Sequence, residues 1–346
     1  MVKSCGGLPL AVVVLGGVLA TKKSYREWAV VDEEIDVERV IHWWTAEGMV
    51  LAEDKIGDES IMDVAERYFE QLGMRCLVML RTFDVDAVSV IRYRSCRLHD
   101  LMRDLCRAKA REENFLRVIG LAHANDNQLA DSFPSSGRSI RRVMINLSDK
   151  DAAKYAPIQL VEGKHLRTME FWAVGTEHSY FTQQIAQSQI DRFEMLKSLT
   201  IRHVTSPGVY YGGSRISRRA FKLPIGNLIH LRCLRSIDSL LVMSPSSISN
   251  LQHLETLDIR ESHIVLTKKA PIVVRRLRHL YFTEREGGVF FPLRLKVSKE
   301  LEIISGLQPP LIQIEQLSEL SGIRKLVVTK ECDLPCFADV AVCVKV

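Results

Sequence analysis

Two stretches of the sequence are one pattern shifted by 23 residues. "LPIGNLIHLRCL" begins at Leu223 and "SPSSISNLQHLETLDI" begins at Ser244. They superpose Asn227 on Asn250, Leu228 on Leu251, His230 on His253, Leu231 on Leu254 and Leu234 on Leu257. A core triplet, apolar-x-x-apolar-x-apolar, recurs at Leu166/Met169/Phe171, Leu196/Leu199/Ile201, Leu254/Leu257/Ile259, Leu277/Leu280/Phe282 and Ile323/Leu326/Val328. The step from 254 to 277 is 23 residues, and that from 277 to 323 is 46, twice the period. Earlier steps of 30 and 35 residues imply insertions. A step of three followed by a step of two fits no single helical face, whereas a strand leaving a turn accounts for it. A unit this short cannot bury its own apolar side, so copies must stack, and five or six exceed the three a stack needs.

The period and the L-x-x-L-x-L core are the signature of a leucine-rich repeat. Residues 161–346 are therefore expected to form an α/β solenoid, a horseshoe, in which each repeat gives one short strand to a continuous parallel sheet. Leucines such as Leu257 point into the common core. Side chains between them, Glu255, Thr256 and Asp258, are expected to face solvent on the concave side and to vary freely there. Such a surface binds other proteins.

Ahead of the repeats, residues 31–120 read as an α+β module. Asp36 caps a helix carrying Val37, Val40, Ile41 and Trp44 on one face, and Gly48 stops it. Ser60 opens a second helix with Ile61, Val64, Ala65, Tyr68 and Leu72 on one face, and Gly73 ends it. Strand-like runs at 76–80 and 88–96 flank a turn around Asp84, as in a hairpin. Leu98, Leu101, Met102, Leu105 and Cys106 then mark a third helix. Helix, helix, hairpin, helix is the outline of a winged helix. Residues 121–160, rich at first in Asn, Asp, Ser and Pro, read as a linker and the start of the first repeat.

Composition narrows the function. The chain is 47% apolar and 26% charged with a net charge of +5, which is ordinary for a globular protein. The second helix of the winged helix carries Asp63, Glu66 and Glu70 against Arg67 alone, whereas a phosphate-facing helix should be basic. No nucleic-acid partner is expected, and DNA binding ranks last among the alternatives. No apolar run reaches the ~20 residues of a membrane helix, so no stable membrane insertion is expected. Eight cysteines match no zinc or disulfide framework; Cys332, Cys336 and Cys343 cluster loosely without a histidine, and no metal is expected. Scattered thiols suit a reducing compartment. Gly17 to Ser24 comes nearest to a phosphate-binding loop, but Lys22 stands where the second glycine must let backbone N–H groups close on the anion. No G-x-S-x-G nucleophile turn occurs. No catalytic residue is assigned, and the chain is not expected to be an enzyme.

One stretch is ambiguous by itself. Lys3, the apolar run from Leu8 to Leu19 and Ala20 look like a secretion signal. The same stretch contains Gly7-Leu8-Pro9-Leu10, which resembles the GLPL motif of plant NB-LRR disease-resistance proteins of the coiled-coil type. "IHWWTAEGMV" at 41–50 resembles the W-x-A-E-G element opening their winged helix. "CRLHDLMRDLC" at 96–106 resembles their MHD motif, with Leu98-His99-Asp100 in place of Met-His-Asp, and "KAREENFLRVI" follows as in many members. The order of these motifs favours an internal segment and a cytoplasmic protein. Residues 1–30 would be a remnant of the nucleotide-binding helical subdomain, with the chain truncated in front and deleted between that remnant and the winged helix.

The resemblance implies an intracellular immune receptor, here a fragment acting in defence. Its repeats would recognise a pathogen effector or a guarded host protein on the concave face, with self-association possible. In the family, the GLPL proline packs near the adenine of ADP and the MHD histidine reaches its β-phosphate; Pro9 and His99 are the matching positions. ADP or ATP is the family's ligand, and without a phosphate cradle its binding here is expected to be weak or absent. The alternative is a leucine-rich-repeat decoy or adaptor that binds protein independently of nucleotide.

Overall fold

The computed structural model describes residues 35–82, 91–98, 100–113, 115–120, 140–148, 165–174, 190, 193–204, 221–222, 225–237, 240–260, 262–266, 270–282, 293–307, 312–314, 320–328 and 342–344. The chain divides into two compact units, Met1–Val118 with Ile140–Met144, and Ile119–Ser139 with Ile145–Val346.

In the first unit, β1 (Ile35–Asp36) leads directly into helix α1 (Val37–Glu47). The Asp36 carboxylate accepts from the Arg39 N–H at 3.3 Å. Gly48, at φ 78°, closes the helix: its N–H reaches Thr45 O at 3.0 Å, and Met49 N–H reaches Trp44 O at 2.9 Å. That pair of bonds satisfies carbonyls the helix end leaves open. Helix α2 (Ile61–Met74) starts with a reciprocal capping box between Ser60 and Asp63. Trp44 stacks on Phe69 with centroids 4.4 Å apart, and Val37, Ile41, Val64, Ala65 and Leu72 are fully buried around them.

Strands β2 (Val78–Thr82) and β3 (Tyr93–Leu98) pair antiparallel, Val78 with Leu98 and Leu80 with Cys96. β1 adds to the other side of β3, giving the order β1-β3-β2. Helix α3 (Asp100–Glu112) follows.

Several expectations need correcting here. Gly73 lies inside α2 rather than ending it; a Cβ there would come within 2.8 Å of Leu80 Cδ1, so glycine lets the hairpin lie close to the helix. Leu98 ends a strand, not a helix. Leu105 is 53% exposed, and Cys106 and Ala110 form the buried side of α3. Helix α1 buries more than one face, since Glu38, His42 and Glu47 are also buried.

The second unit holds most of a ten-strand sheet. In chain order its strands are β4 (Arg117–Gly120), β5 (Arg142–Ser148), β6 (Thr168–Val174), β7 (Ser198–Val204), β9 (Cys233–Ile237), β11 (Thr256–Asp258), β14 (His279–Tyr281), β16 (Ile303–Leu307), β18 (Lys325–Val328) and β19 (Val342–Val344). Neighbours from β6 to β18 pair in parallel, and β19 closes the sheet antiparallel. β5 lies within the stretch expected to be linker and first-repeat start. Two three-strand parallel sheets complete the unit: β8 (Phe221–Lys222), β10 (Leu240–Met243) and β12 (His263–Leu266); and β13 (Ile272–Val274), β15 (Leu293–Val297) and β17 (Ile312–Ile314). A one-turn helix α4 (Pro245–Ser249) lies between β10 and β11.

The repeat is visible in the hydrogen bonds. One carbonyl accepts two consecutive N–H groups from the next rung, with Glu255 and Thr256 on Arg232 O at 2.8 and 2.9 Å. Arg278 and His279 do the same on Glu255 O at 2.8 and 3.0 Å, and Glu302 and Ile303 on Arg278 O at 2.8 and 3.0 Å. Under the sheet, Leu231, Leu254, Leu277 and Leu301 form one fully buried column, and Leu234, Leu257, Leu280 and Ile304 form the next. Each such side chain contributes roughly 1.5–3 kcal/mol by leaving water.

The 46-residue step is two rungs, with β16 between β14 and β18. Its triplet is Leu301/Ile304/Gly306, so no third apolar residue announces it. Gly306 has φ 76°, and a Cβ there would meet the Phe282 carbonyl oxygen at 2.5 Å. Glycine is therefore required by the positive φ and by the close approach of the Phe282 main chain. The rung at Leu231/Leu234, which the 23-residue alignment already marks, has Ser236 in its third place; Ser236 Oγ bonds Ser262 Oγ at 2.8 Å.

The arrangement is α/β with parallel sheets. Among the described residues the parallel sheets do not amount to the expected horseshoe: a helical turn, Pro245–Ser249, precedes β11, whereas strands β13 and β15 precede β14 and β16.

Candidate functional site

Pro9 and His99, the nucleotide positions implied by the resemblance, lie outside the described residues, as do Cys332 and Cys336. Among the described residues no group of three His, Cys, Asp or Glu side chains is placed to hold a metal. No helix among them is long and apolar enough to cross a membrane. The chemistry that is on view belongs to the face of the long sheet opposite the leucine columns.

Strand alternation puts three rows of side chains on that face. The first runs Thr168, Ser198, Cys233, Thr256, His279, Ile303. The second runs Glu170, Thr200, Arg235, Asp258, Tyr281, Ser305. The third holds Trp172, Arg202 and Ile237, with Arg260 beyond the end of β11.

Thr256 and Asp258 are not solvent-facing as expected; they are 3% and 2% exposed. Cross-strand partners cover them. Thr256 Oγ1 lies 3.0 Å from His279 Nδ1. Asp258 takes Arg235 Nη2 at 2.8 Å and Arg260 Nη2 at 2.9 Å, and the Arg260 guanidinium sits 4.4 Å over the Tyr281 ring. A buried carboxylate between two guanidiniums is a satisfied ion cluster, since an unpaired charge there would be costly. Burial pushes the Cys233 thiol up to about 12, against a smaller opposing pull from Arg235.

Glu255 is half-buried rather than exposed. Burial raises its carboxyl above the usual range, and Arg232 and Arg278 pull it back down. It belongs to a row along the start of the strands, Arg232, Glu255, Arg278, Glu302, Arg324, whose charges alternate in sign. Arg232 approaches Glu255 at 3.8 Å, and Arg278 approaches Glu302 at 3.3 Å and Glu300 at 3.2 Å. These clusters had a signal in the sequence. Arg235 and Asp258, and likewise Arg232, Glu255 and Arg278, stand 23 residues apart, so opposite charges one period apart mark cross-strand neighbours.

Arg202 is different. Its guanidinium lies 4.9 Å from the centroid of Trp172, whose Nε1 donates to Glu170 Oε2 at 3.3 Å. Its Nε is buried and has no hydrogen-bond partner.

In the first unit the charges of α2 are spent internally. Arg67, the helix's one basic residue, binds Glu59 at 3.1 Å. Glu66 accepts the Arg92 N–H, and burial raises its carboxyl above the usual range. Glu70 holds the Arg92 guanidinium at 3.1 Å. Tyr68 donates to Asp54, and burial together with that carboxylate pushes its hydroxyl up to about 12.

Residues 31–106 match the winged helix domain of disease resistance proteins. Over 95% of its length the chain is 28% identical to the probable disease resistance protein RXW24L of Arabidopsis thaliana, covering 39% of that protein. It is 26% identical to the probable disease resistance protein RF9 of the same plant, over 95% of this chain and 34% of that one. With the putative disease resistance RPP13-like protein 3, also from Arabidopsis thaliana, identity is 30% over 75% of this chain and 31% of the relative. The chain thus spans well under half the length of these curated relatives.

Proposed function

We propose that this chain, a homologue of plant disease resistance proteins with their winged helix at residues 31–106, acts in the defence response by recognising another protein rather than by catalysis. The rungs from β6 to β18 are read as a leucine-rich-repeat solenoid that takes a pathogen effector or a guarded host protein at the half-exposed part of its sheet face, around Trp172, Arg202, Ile237 and Arg260. The observation that carries this reading is the ladder itself: rung after rung, two N–H groups meet one carbonyl above a column of buried leucines. Such stacks present extended surfaces for protein ligands. The charges of α2 being bound within its own unit supports protein rather than DNA as the partner.

The proposal places the chain in the cytoplasm and gives Pro9 and His99 a residual part in an ADP-dependent switch. Capture from plant tissue with the tagged chain tests recognition. A partner is expected whose capture is lost on Arg260→Glu; equal capture by that variant places the partner elsewhere. The purified chain is expected to retain little ADP and to hydrolyse no ATP. Micromolar ADP affinity by calorimetry, abolished by His99→Ala, would contradict that. Partner capture that is identical with and without nucleotide favours the adaptor form of the same function.

A further inference from the structure

On the described part of the sheet face, Arg232, Arg235, Arg260 and Arg278 each hold a carboxylate of this chain. Arg202 does not. Among the described residues no carboxylate lies within ion-pair distance of it, and its buried Nε meets no acceptor. An arginine donor removed from water without an acceptor costs stability. Its side chain is held in place nonetheless, by the Trp172 ring beneath it at 4.9 Å and by the neighbouring strand, where Ile237 is its register partner. Trp172 is itself oriented by its bond to Glu170. Nε itself is closed to an incoming group, but among the described residues Nη1 and Nη2 make no hydrogen bond or ion pair, and a guanidinium fixed on a half-buried ring offers that edge to a planar anion.

We propose that Arg202 is an anchor that takes a carboxylate from the partner protein, with Ile237 receiving an apolar residue beside it. This rests on the sheet face being the recognition surface. Carboxylate is favoured over phosphate for two reasons. The row next to Arg202 contains Glu170, a like charge that a regular run of phosphates would meet beside the one guanidinium and that a single partner carboxylate need not approach. The Trp172 face is occupied by the guanidinium, so it offers no platform for a nucleic-acid base. Arginine is required rather than lysine, because the open donor is the fork and not a point charge.

The test uses the full chain and four probes: an alternating Glu–Leu hexapeptide, its Lys–Leu counterpart, inorganic phosphate and hexathymidylate. Arginine Nε–H resonances are followed by NMR, with the Arg202 signal assigned by its loss in Arg202→Lys. The expected result is a shift of that signal with the Glu–Leu peptide alone, and affinity at least tenfold weaker in both Arg202→Gln and Arg202→Lys. The thermal midpoint of Arg202→Gln is expected to stay the same or rise, because the side chain makes no ion pair within the fold.

A lowered midpoint with unchanged peptide affinity would make Arg202 structural and overturn the assignment. Tighter binding of hexathymidylate or phosphate than of the peptide would overturn the choice of carboxylate. If a partner captured through Arg260 is held equally well by Arg202→Gln, the anchor fails while the recognition reading stands. If the unmodified chain captures none, it is the recognition reading that fails.

Discussion

At the scale of the residue, the leucines behave as the period requires and the residues between them do not. Leu257 is 3% exposed in the second core column, so Leu257→Ala should cost about 2–5 kcal/mol. Thr256, which spacing alone would leave free to vary, should not be free. Thr256→Val removes the hydroxyl at His279 Nδ1 and should cost about 1–3 kcal/mol by chemical denaturation. A cost near zero would return that row to solvent.

His253 gives a pH dependence. Burial, then Arg276, His230 and Arg232, hold its folded value below the ordinary one. Its ring is stacked on His230 at 6.0 Å, and its Nδ1 lies 3.3 Å from Arg276 Nη1. As pH falls, the unfolded chain takes up the proton first. Stability should therefore be full above about pH 6.5 and decline as pH drops through that value towards the lower folded one. His253→Gln should flatten this part of the profile of thermal midpoint against pH; an unchanged profile would assign the decline to other groups.

At the scale of the element, the legible parts were those with local causes. The Asp36 and Ser60 caps, the Gly48 stop and the strand positions at 257, 280 and 326 follow from side chains within a few residues. What stayed hidden depends on contacts distant in sequence. The triplet of β16 lacks its third apolar residue because Gly306 meets the Phe282 main chain at φ 76°, and Gly73 has its reason in Leu80 on the hairpin rather than in a helix end.

The two glycines should therefore respond differently to alanine. Gly306→Ala sets a Cβ against backbone at φ 76° and should clearly lower the midpoint; Gly73→Ala meets only the end of a flexible side chain and should change it little. Comparable midpoint changes would mean the close approach at β16 is absent.

The burial of Glu47 was equally invisible, since its partner lies 95 residues away. Arg142 Nη2 reaches Glu47 Oε2 at 2.8 Å while its guanidinium lies 4.2 Å over the Phe115 ring. Glu47→Gln breaks this buried ion pair from one side and should cost about 3–5 kcal/mol, whereas replacing both partners by Met should cost less. Urea unfolding of the two variants checks the contrast.

At the scale of the whole molecule, one order of parts makes sense of the chain: a winged helix, then rungs that cannot stand alone and so stack. The periodic leucines announced the stack; the outer row was expected in solvent, although its opposite charges stand one period apart. The nucleotide positions Pro9 and His99 rest on resemblance. The identity of a partner has no local code, because it depends on which half-exposed side chains share the sheet face.

Native-state hydrogen exchange, followed by mass spectrometry on the full chain, tests the ladder most directly. The paired amides of Lys197 and Ser198, Arg232 and Cys233, Glu255 and Thr256, Arg278 and His279, and Glu302 and Ile303 should be among the slowest to exchange, and they should open together. Exchange at those sites as fast as in the exposed 51–58 loop would contradict the parallel stack and the function drawn from it.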